Sequence, residues 1–138
     1  MQPLRQLSLT AARLLAVVVL LLASFSVMPL PAQATNYTVK MGSDTGQLVF
    51  VPDVLNIKPG DTVEWVMNKV PPHNVMFDGD KIPGGDTDLA NKLSHKQLLF
   101  ATGEGYSSSF EGVQPGIYPY YCVPHRGAGM AGKIVVQE

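Results

Sequence analysis

The segment Tyr120-Tyr121-Cys122-Val123-Pro124-His125-Arg126-Gly127-Ala128-Gly129-Met130 places a thiol, an imidazole and a thioether within one short stretch. Thiolate, imidazole and thioether are soft and borderline donors. Together they suit copper, which alternates between a soft monovalent and a harder divalent ion. Two imidazoles and a thiolate in a trigonal set, with a long axial thioether, make a blue-copper site. That pattern requires a second imidazole from elsewhere. His73, in Val70-Pro71-Pro72-His73-Asn74-Val75, is the better of the two remaining histidines, because the paired prolines stiffen its approach. The other, His95 in Ser94-His95-Lys96-Gln97, lies in a polar stretch with no neighbouring donor and is assigned to the surface. Taken singly, a cysteine at a strand end is usually packed core, and Met130 alone would mean nothing. Cys-x-x-His-x-x-x-x-Met with an upstream Pro-His-Asn, in a chain with one cysteine, favours a ligand set over packed core. His73, Cys122, His125 and Met130 are therefore expected to hold one copper ion, Cu(I)/Cu(II).

The first stretch of the chain has a different character. Arg5 and Arg13 are its only charges, Leu14 to Ala23 is apolar throughout, and Ala32-Gln33-Ala34 is a small-x-small cleavage signal. Residues 1–34 are expected to be a signal peptide that is cleaved, leaving a domain of residues 35–138. A retained membrane anchor is disfavoured, because the apolar run is shorter than the roughly 20 residues a spanning helix needs, and Pro29 and Pro31 end it. The single cysteine of an exported chain cannot form an internal disulfide, which leaves a buried thiol, an intermolecular link or a bound metal. Removing Arg5 and Arg13 from 10 basic residues leaves eight against 11 acidic ones, a net charge near −3. The remaining cations are scattered rather than clustered, so nucleic acid is excluded as a partner.

Downstream, short apolar runs rich in Val, Tyr, Phe and Ile alternate with Gly, Pro and Asp. Strands are expected over Tyr37–Met41, Leu48–Val51, Val54–Ile57, Thr62–Val66, Asn74–Phe77, Leu98–Phe100, Tyr106–Phe110, Gly116–Cys122 and Lys133–Gln137. Lys58-Pro59-Gly60-Asp61 has the proline and glycine positions of a type II turn. Two antiparallel sheets packed face to face around Trp65 are the expected fold. Asp86 to Leu93, with acids early and a lysine late, reads as a short helical segment on a long connection.

Gly46-Gln47-Leu48-Val49-Phe50-Val51-Pro52, Pro72-His73-Asn74, Phe77-Asp78 and the run from Tyr120 to Gly132 together resemble the plastocyanin family, over nearly all of residues 35–138. The resemblance implies an all-β, cupredoxin-type Greek-key sandwich with copper held by His73, Cys122, His125 and Met130. It also implies one-electron transfer from cytochrome f to photosystem I, as a monomer in the thylakoid lumen, peripheral to the membrane. An apolar patch of Leu48, Pro72 and Ala128 would surround His125 as the electron exit, with Arg126 steering an acidic partner. Tyr121 would be a second port, though packed strand aromatic is an equal reading. Asn74, adjoining His73, is expected to tune the site through its backbone N–H or side chain. Plant members carry acidic patches where this chain reads Asp78-Gly79-Asp80-Lys81 and His95-Lys96-Gln97, so plant-like docking is not expected. The simple leader favours a cyanobacterial source. A periplasmic, pseudoazurin-like carrier is the alternative, disfavoured because only eight residues follow Met130.

Overall fold

The computed structural model describes residues 33–138, so the expected signal peptide lies almost wholly outside the described residues. Nine strands follow in chain order: β1 (Asn36–Met41), β2 (Phe50–Val51), β3 (Val54–Ile57), β4 (Thr62–Met67), β5 (His73–Phe77), β6 (His95–Leu99), β7 (Gly105–Ser109), β8 (Gly116–Tyr121) and β9 (Ala131–Val136). One sheet has the order β2-β1-β4-β7, the other β3-β9-β8-β5-β6. Burial alternates along β1 and β4 as a two-residue period requires, turning Val39, Met41, Val63, Trp65 and Met67 inward. Opposite them stand Val75, Phe77, Tyr118, Tyr120, Ile134 and Val136 of the second sheet. Trp65 lies at the centre, edge-on to Tyr120 at 4.7 Å and to Phe50 and Phe77 at 6.1 Å. Such aromatic pairs are each worth about 0.5–1.5 kcal/mol beyond the area they bury.

The sheets are mixed, not antiparallel as the strand pattern had implied. β1 runs parallel to β4 from Asn36↔Thr62 to Met41↔Met67, and β3 runs parallel to β9. Parallel neighbours need a crossover, and β2 and β3 supply it between β1 and β4. Short turns read from sequence reveal hairpins, whereas these two pairings join strands that are distant in the chain. β2 is also shorter than expected: Gly42 N–H donates to Val49 O at 2.9 Å and Ser43 N–H to Gln47 O at 3.0 Å, so Leu48 and Val49 belong to the connecting loop. The expected turn at Lys58–Asp61 is present, with Gly60 at φ +96° and Asp61 N–H donating to Lys58 O at 3.1 Å.

Helix α1 (Thr87–Leu93) starts where the acids predict it. The Asp86 carboxylate accepts from Leu89 N–H at 2.9 Å, Asp88 lies in the first turn and Lys92 in the last. Ser94 ends it by donating Oγ–H to Ala90 O at 2.6 Å while accepting Phe77 N–H at 2.9 Å, which fastens the helix end to β5. β6 therefore begins at His95, three residues before the apolar run that announced it.

β5 and β8 are antiparallel neighbours in the register Met76↔Tyr121 and Phe77↔Tyr120. This pairing brings the start of β5, at His73, to the same sheet end as the residue just past β8, Cys122.

Candidate metal centre

His73 opens β5 and is fully buried. Its Nε2 lies 2.7 Å from Lys69 O. A carbonyl can only accept, so Nε2 carries the proton and Nδ1 presents a free lone pair. The loop that delivers this carbonyl is held in an unusual conformation: Val70 adopts φ +56°, a left-handed region that costs a β-branched residue about 1–3 kcal/mol. Lys69 N–H and Asn68 N–H both donate to Met41 O, at 3.3 and 3.0 Å, fixing the loop on the end of β1.

Cys122, His125 and Met130 occupy one self-bonded loop. Cys122 N–H donates to Met130 O at 3.1 Å, and the His125 carbonyl accepts Ala128 N–H at 3.0 Å and Met130 N–H at 3.1 Å. A 3-10 turn at Arg126–Ala128 completes the bend. Cys122 and Met130 are fully buried and His125 is half-buried. His73 Nδ1 and His125 Nδ1 each lie 3.6 Å from Cys122 Sγ and 3.1 Å from one another. Bonds of about 2.0–2.1 Å to nitrogen and about 2.3 Å to sulfur, at trigonal angles, would separate nitrogen from sulfur by about 3.8 Å and the two nitrogens by about 3.5 Å. The observed triangle is within a few tenths of an ångström of that size, and its donors are the imidazole and thiolate types that copper favours. The residues present fit a copper ion.

Electrostatics favour the neutral forms here. Burial lowers the His73 imidazole from its ordinary value; the Lys69 carbonyl opposes this, and nearby His125 adds to it. Burial pushes the Cys122 thiol up, partly offset by main-chain hydrogen bonds from Asn74 and His125. Asn74 is itself buried, with Oδ1 accepting Val123 N–H at 2.8 Å and Nδ2 donating to Lys96 O at 3.3 Å. Its main chain thus faces the sulfur, while its side chain ties β5 to both the ligand loop and β6.

Of the expected docking residues, Leu48 and Pro72 are half-buried and Ala128 is exposed on the 3-10 turn. Arg126 lies over the half-buried Tyr121 ring, its guanidinium carbon 3.9 Å from the centroid. Arg126 Nη2 is also 3.8 Å from Asp78 Oδ2, which Lys81 Nζ meets at 2.9 Å. An exposed cation over an aromatic face is worth about 0.5–1 kcal/mol.

His95 is not the plain surface residue its sequence context implied. It is half-buried, stacked on Tyr106 at 4.0 Å and 13°, with Nε2 3.1 Å from Ser108 Oγ. That hydroxyl donates to Leu93 O at 2.7 Å and accepts the Trp65 indole N–H at 3.0 Å, so His95 Nε2–H is a second donor to it. Ser108 and Tyr106 lie on β7, where no local pattern around His95 could reveal them. Gly42 and Lys69 were also missed. A Cβ on Gly42, at φ +86°, would stand 2.2 Å from Lys69 O, the carbonyl that orients His73. A glycine after a strand looks like any turn, and a backbone carbonyl has no sequence signature.

Residues 37–137 match the family described as copper binding proteins, plastocyanin/azurin family. A plastocyanin of Synechococcus sp. is 62% identical over 106 residues, covering 77% of this chain and 76% of that protein. One from Nostoc punctiforme is 52% identical over 135 residues, covering 97% and 94%. Among solved structures, the oxidized form of plastocyanin from the fern Dryopteris crassirhizoma is 28% identical with a TM-score of 0.64, covering 72% of this chain and 99% of that one. With its sandwich, its N-S-N triangle and this breadth of sequence match, the chain belongs to the plastocyanin/azurin family of copper-binding proteins.

Proposed function

We propose that the protein is a blue-copper one-electron carrier that takes electrons from cytochrome f and delivers them to photosystem I. The observation that carries this reading is the triangle of His73 Nδ1, His125 Nδ1 and Cys122 Sγ at one end of a rigid sandwich. His73, Cys122, His125 and Met130 would hold the ion. Copper bound there supplies a centre that changes between Cu(II) and Cu(I).

The protein's part is to keep its donors still. Every ligand that moves during electron exchange raises the barrier. His73 is anchored by Lys69 O, Cys122 by its own N–H on Met130 O and Met130 by its N–H on His125 O, bonds that would hold the donors in both charge states of the ion. Loading requires Cys122 to release its proton, and burial raises that cost until the metal takes the proton's place. The half-buried His125 ring is the way out for the electron, flanked by the small residues Gly127, Ala128 and Gly129. Leu48, Pro72 and Ala128 would give a partner an apolar contact, and Arg126 an electrostatic one.

Among the described residues no helix is long and apolar enough to cross a membrane. Residues 1–34 would direct export and be cleaved, placing a monomer in the thylakoid lumen on the lumenal side of the membrane. The pseudoazurin reading has less support: a Sinorhizobium pseudoazurin is 31% identical with a TM-score of 0.52. A copper enzyme would need further metal-binding histidines, and His95 is committed to Ser108 and Tyr106. The test is a visible spectrum after adding Cu(II), before and after ascorbate, with Cys122→Ser alongside. An intense blue band that bleaches on reduction and is missing from the variant is expected; folded, copper-loaded protein with no such band would end the carrier reading.

A further inference from the structure

Asp61 is only 4% exposed, yet no lysine, arginine or histidine of the described residues lies in ion-pair contact with it. Both its oxygens are used. Oδ2 accepts Lys58 N–H at 2.8 Å across the turn, and Oδ1 accepts Thr35 N–H at 2.8 Å from just before β1. A buried carboxylate without a cation is costly, and its usual remedy is a paired, hydrogen-bonded positive charge. Thr35 is the residue immediately after Ala32-Gln33-Ala34. Its carbonyl accepts Thr62 N–H at 2.9 Å, where β4 begins its parallel pairing with β1. Thr35 is thus held at both its nitrogen and its carbonyl, although it precedes the first strand.

We infer that hydrolysis of the Ala34–Thr35 bond supplies the missing cation, by converting the Thr35 amide into an α-ammonium group already seated on the Asp61 carboxylate. This inference rests on the reading of residues 1–34 as a cleaved leader. In the hydrolysis, catalysed by a leader peptidase, water adds to the Ala34 carbonyl and the C–N bond breaks. Ala34 leaves as a carboxylate, and the Thr35 nitrogen takes up a proton to become an ammonium. A hydrogen bond from an uncharged amide to the carboxylate thereby becomes an ion pair between the same two atoms. Cleavage one residue earlier would carry the charge about 3.8 Å further along the chain, leaving an amide on Asp61. The domain selects one new terminus, and processing fastens the start of β1 to the turn before β4.

The test begins with the full chain in a host that exports it, followed by intact mass and an NMR titration of the ¹³C-methylated α-amine. A protein beginning at Thr35 is expected. Its α-amine should titrate about 1–3 units above the same protein unfolded in denaturant, as an opposite charge within about 4–6 Å requires. Asp61→Asn should bring the value back toward the ordinary range of about 7.7–8.0. If Asp61→Asn does not fold, the native and unfolded titrations of the unaltered protein still decide. An exported protein that keeps residues 1–34 would overturn the leader reading. One cleaved elsewhere, or cleaved at Thr35 with equal native and unfolded titrations, would overturn the ion pair while leaving the leader reading intact.

Discussion

Gly42→Ala is the substitution that most directly tests whether the sandwich, and not the ligands alone, sets the metal site. The new methyl would lie 2.2 Å from Lys69 O, 2.9 Å from Lys69 C and 3.0 Å from Lys69 N, all backbone atoms with no flexible end to swing away. Relief demands that the Lys69 carbonyl retreat by about 1 Å to reach ordinary van der Waals separation. That carbonyl accepts His73 Nε2–H at 2.7 Å, so the retreat would break the bond that sets the ring's orientation and tautomer. Alanine in the left-handed region costs about 1–2 kcal/mol, and the lost hydrogen bond about 0.5–1.5 kcal/mol. The sum of about 1.5–3.5 kcal/mol corresponds to a fall in melting temperature of roughly 6–28 °C for a domain near this size. Gly60→Ala is the control, because Gly60 has a similar φ of +96° but nothing within 4 Å of the added carbon. It should lose only the backbone share and keep an unaltered copper spectrum. Lys69→Ala retains the carbonyl and should also leave the spectrum alone. Thermal unfolding and visible spectra of the copper-loaded proteins separate the cases. Equal stability loss and equal spectra for Gly42→Ala and Gly60→Ala would refute the close-approach argument.

Asn74→Ala should cost about 1–3 kcal/mol by urea unfolding, because it removes a buried side chain that accepts Val123 N–H and donates to Lys96 O, and so frees the Cys122–Met130 loop from β5. It should also shift the reduction potential, and an unchanged potential would confine Asn74 to structure. Acid should weaken the apoprotein: burial lowers the pKa of His95, so the unfolded chain binds that proton first and stability falls as pH drops below about 6.5. His95→Gln should flatten that part of a plot of urea midpoint against pH; an identical slope would remove His95 as the cause. Leu48→Asp should slow electron transfer to photosystem I while leaving the copper spectrum intact, and Arg126→Gln should lower both the association rate and its salt dependence. Stopped-flow or flash kinetics with unaltered rates would contradict the docking face.

The cluster of His73, Cys122 and His125 was legible because cysteine and histidine are scarce in this sequence and copper needs them close together. What holds those donors was not legible, for a consistent physical reason. Lys69 acts on His73 through a carbonyl, Asn74 and His125 act on Cys122 through main-chain N–H groups, and any residue type offers the same atoms. Strand positions could be read where one face is buried, as in β1 and β4. His95 and the parallel pairs were misread because their partners, Ser108 for the one and β4 and β9 for the others, are remote in sequence. Asp61 shows the same limit from the opposite direction. Its place in a Pro-Gly turn was evident, but its contact with Thr35, 26 residues away, arises only when β1 lies beside β4. The metal site and the Asp61 contact therefore depend on one β1–β4 pairing. Met41, at the far end of that ladder from Thr62, gives its carbonyl to Lys69 N–H, and Lys69 in turn orients His73. The charge proposed at Thr35 would thus act on the same strand whose end supports the Lys69 loop.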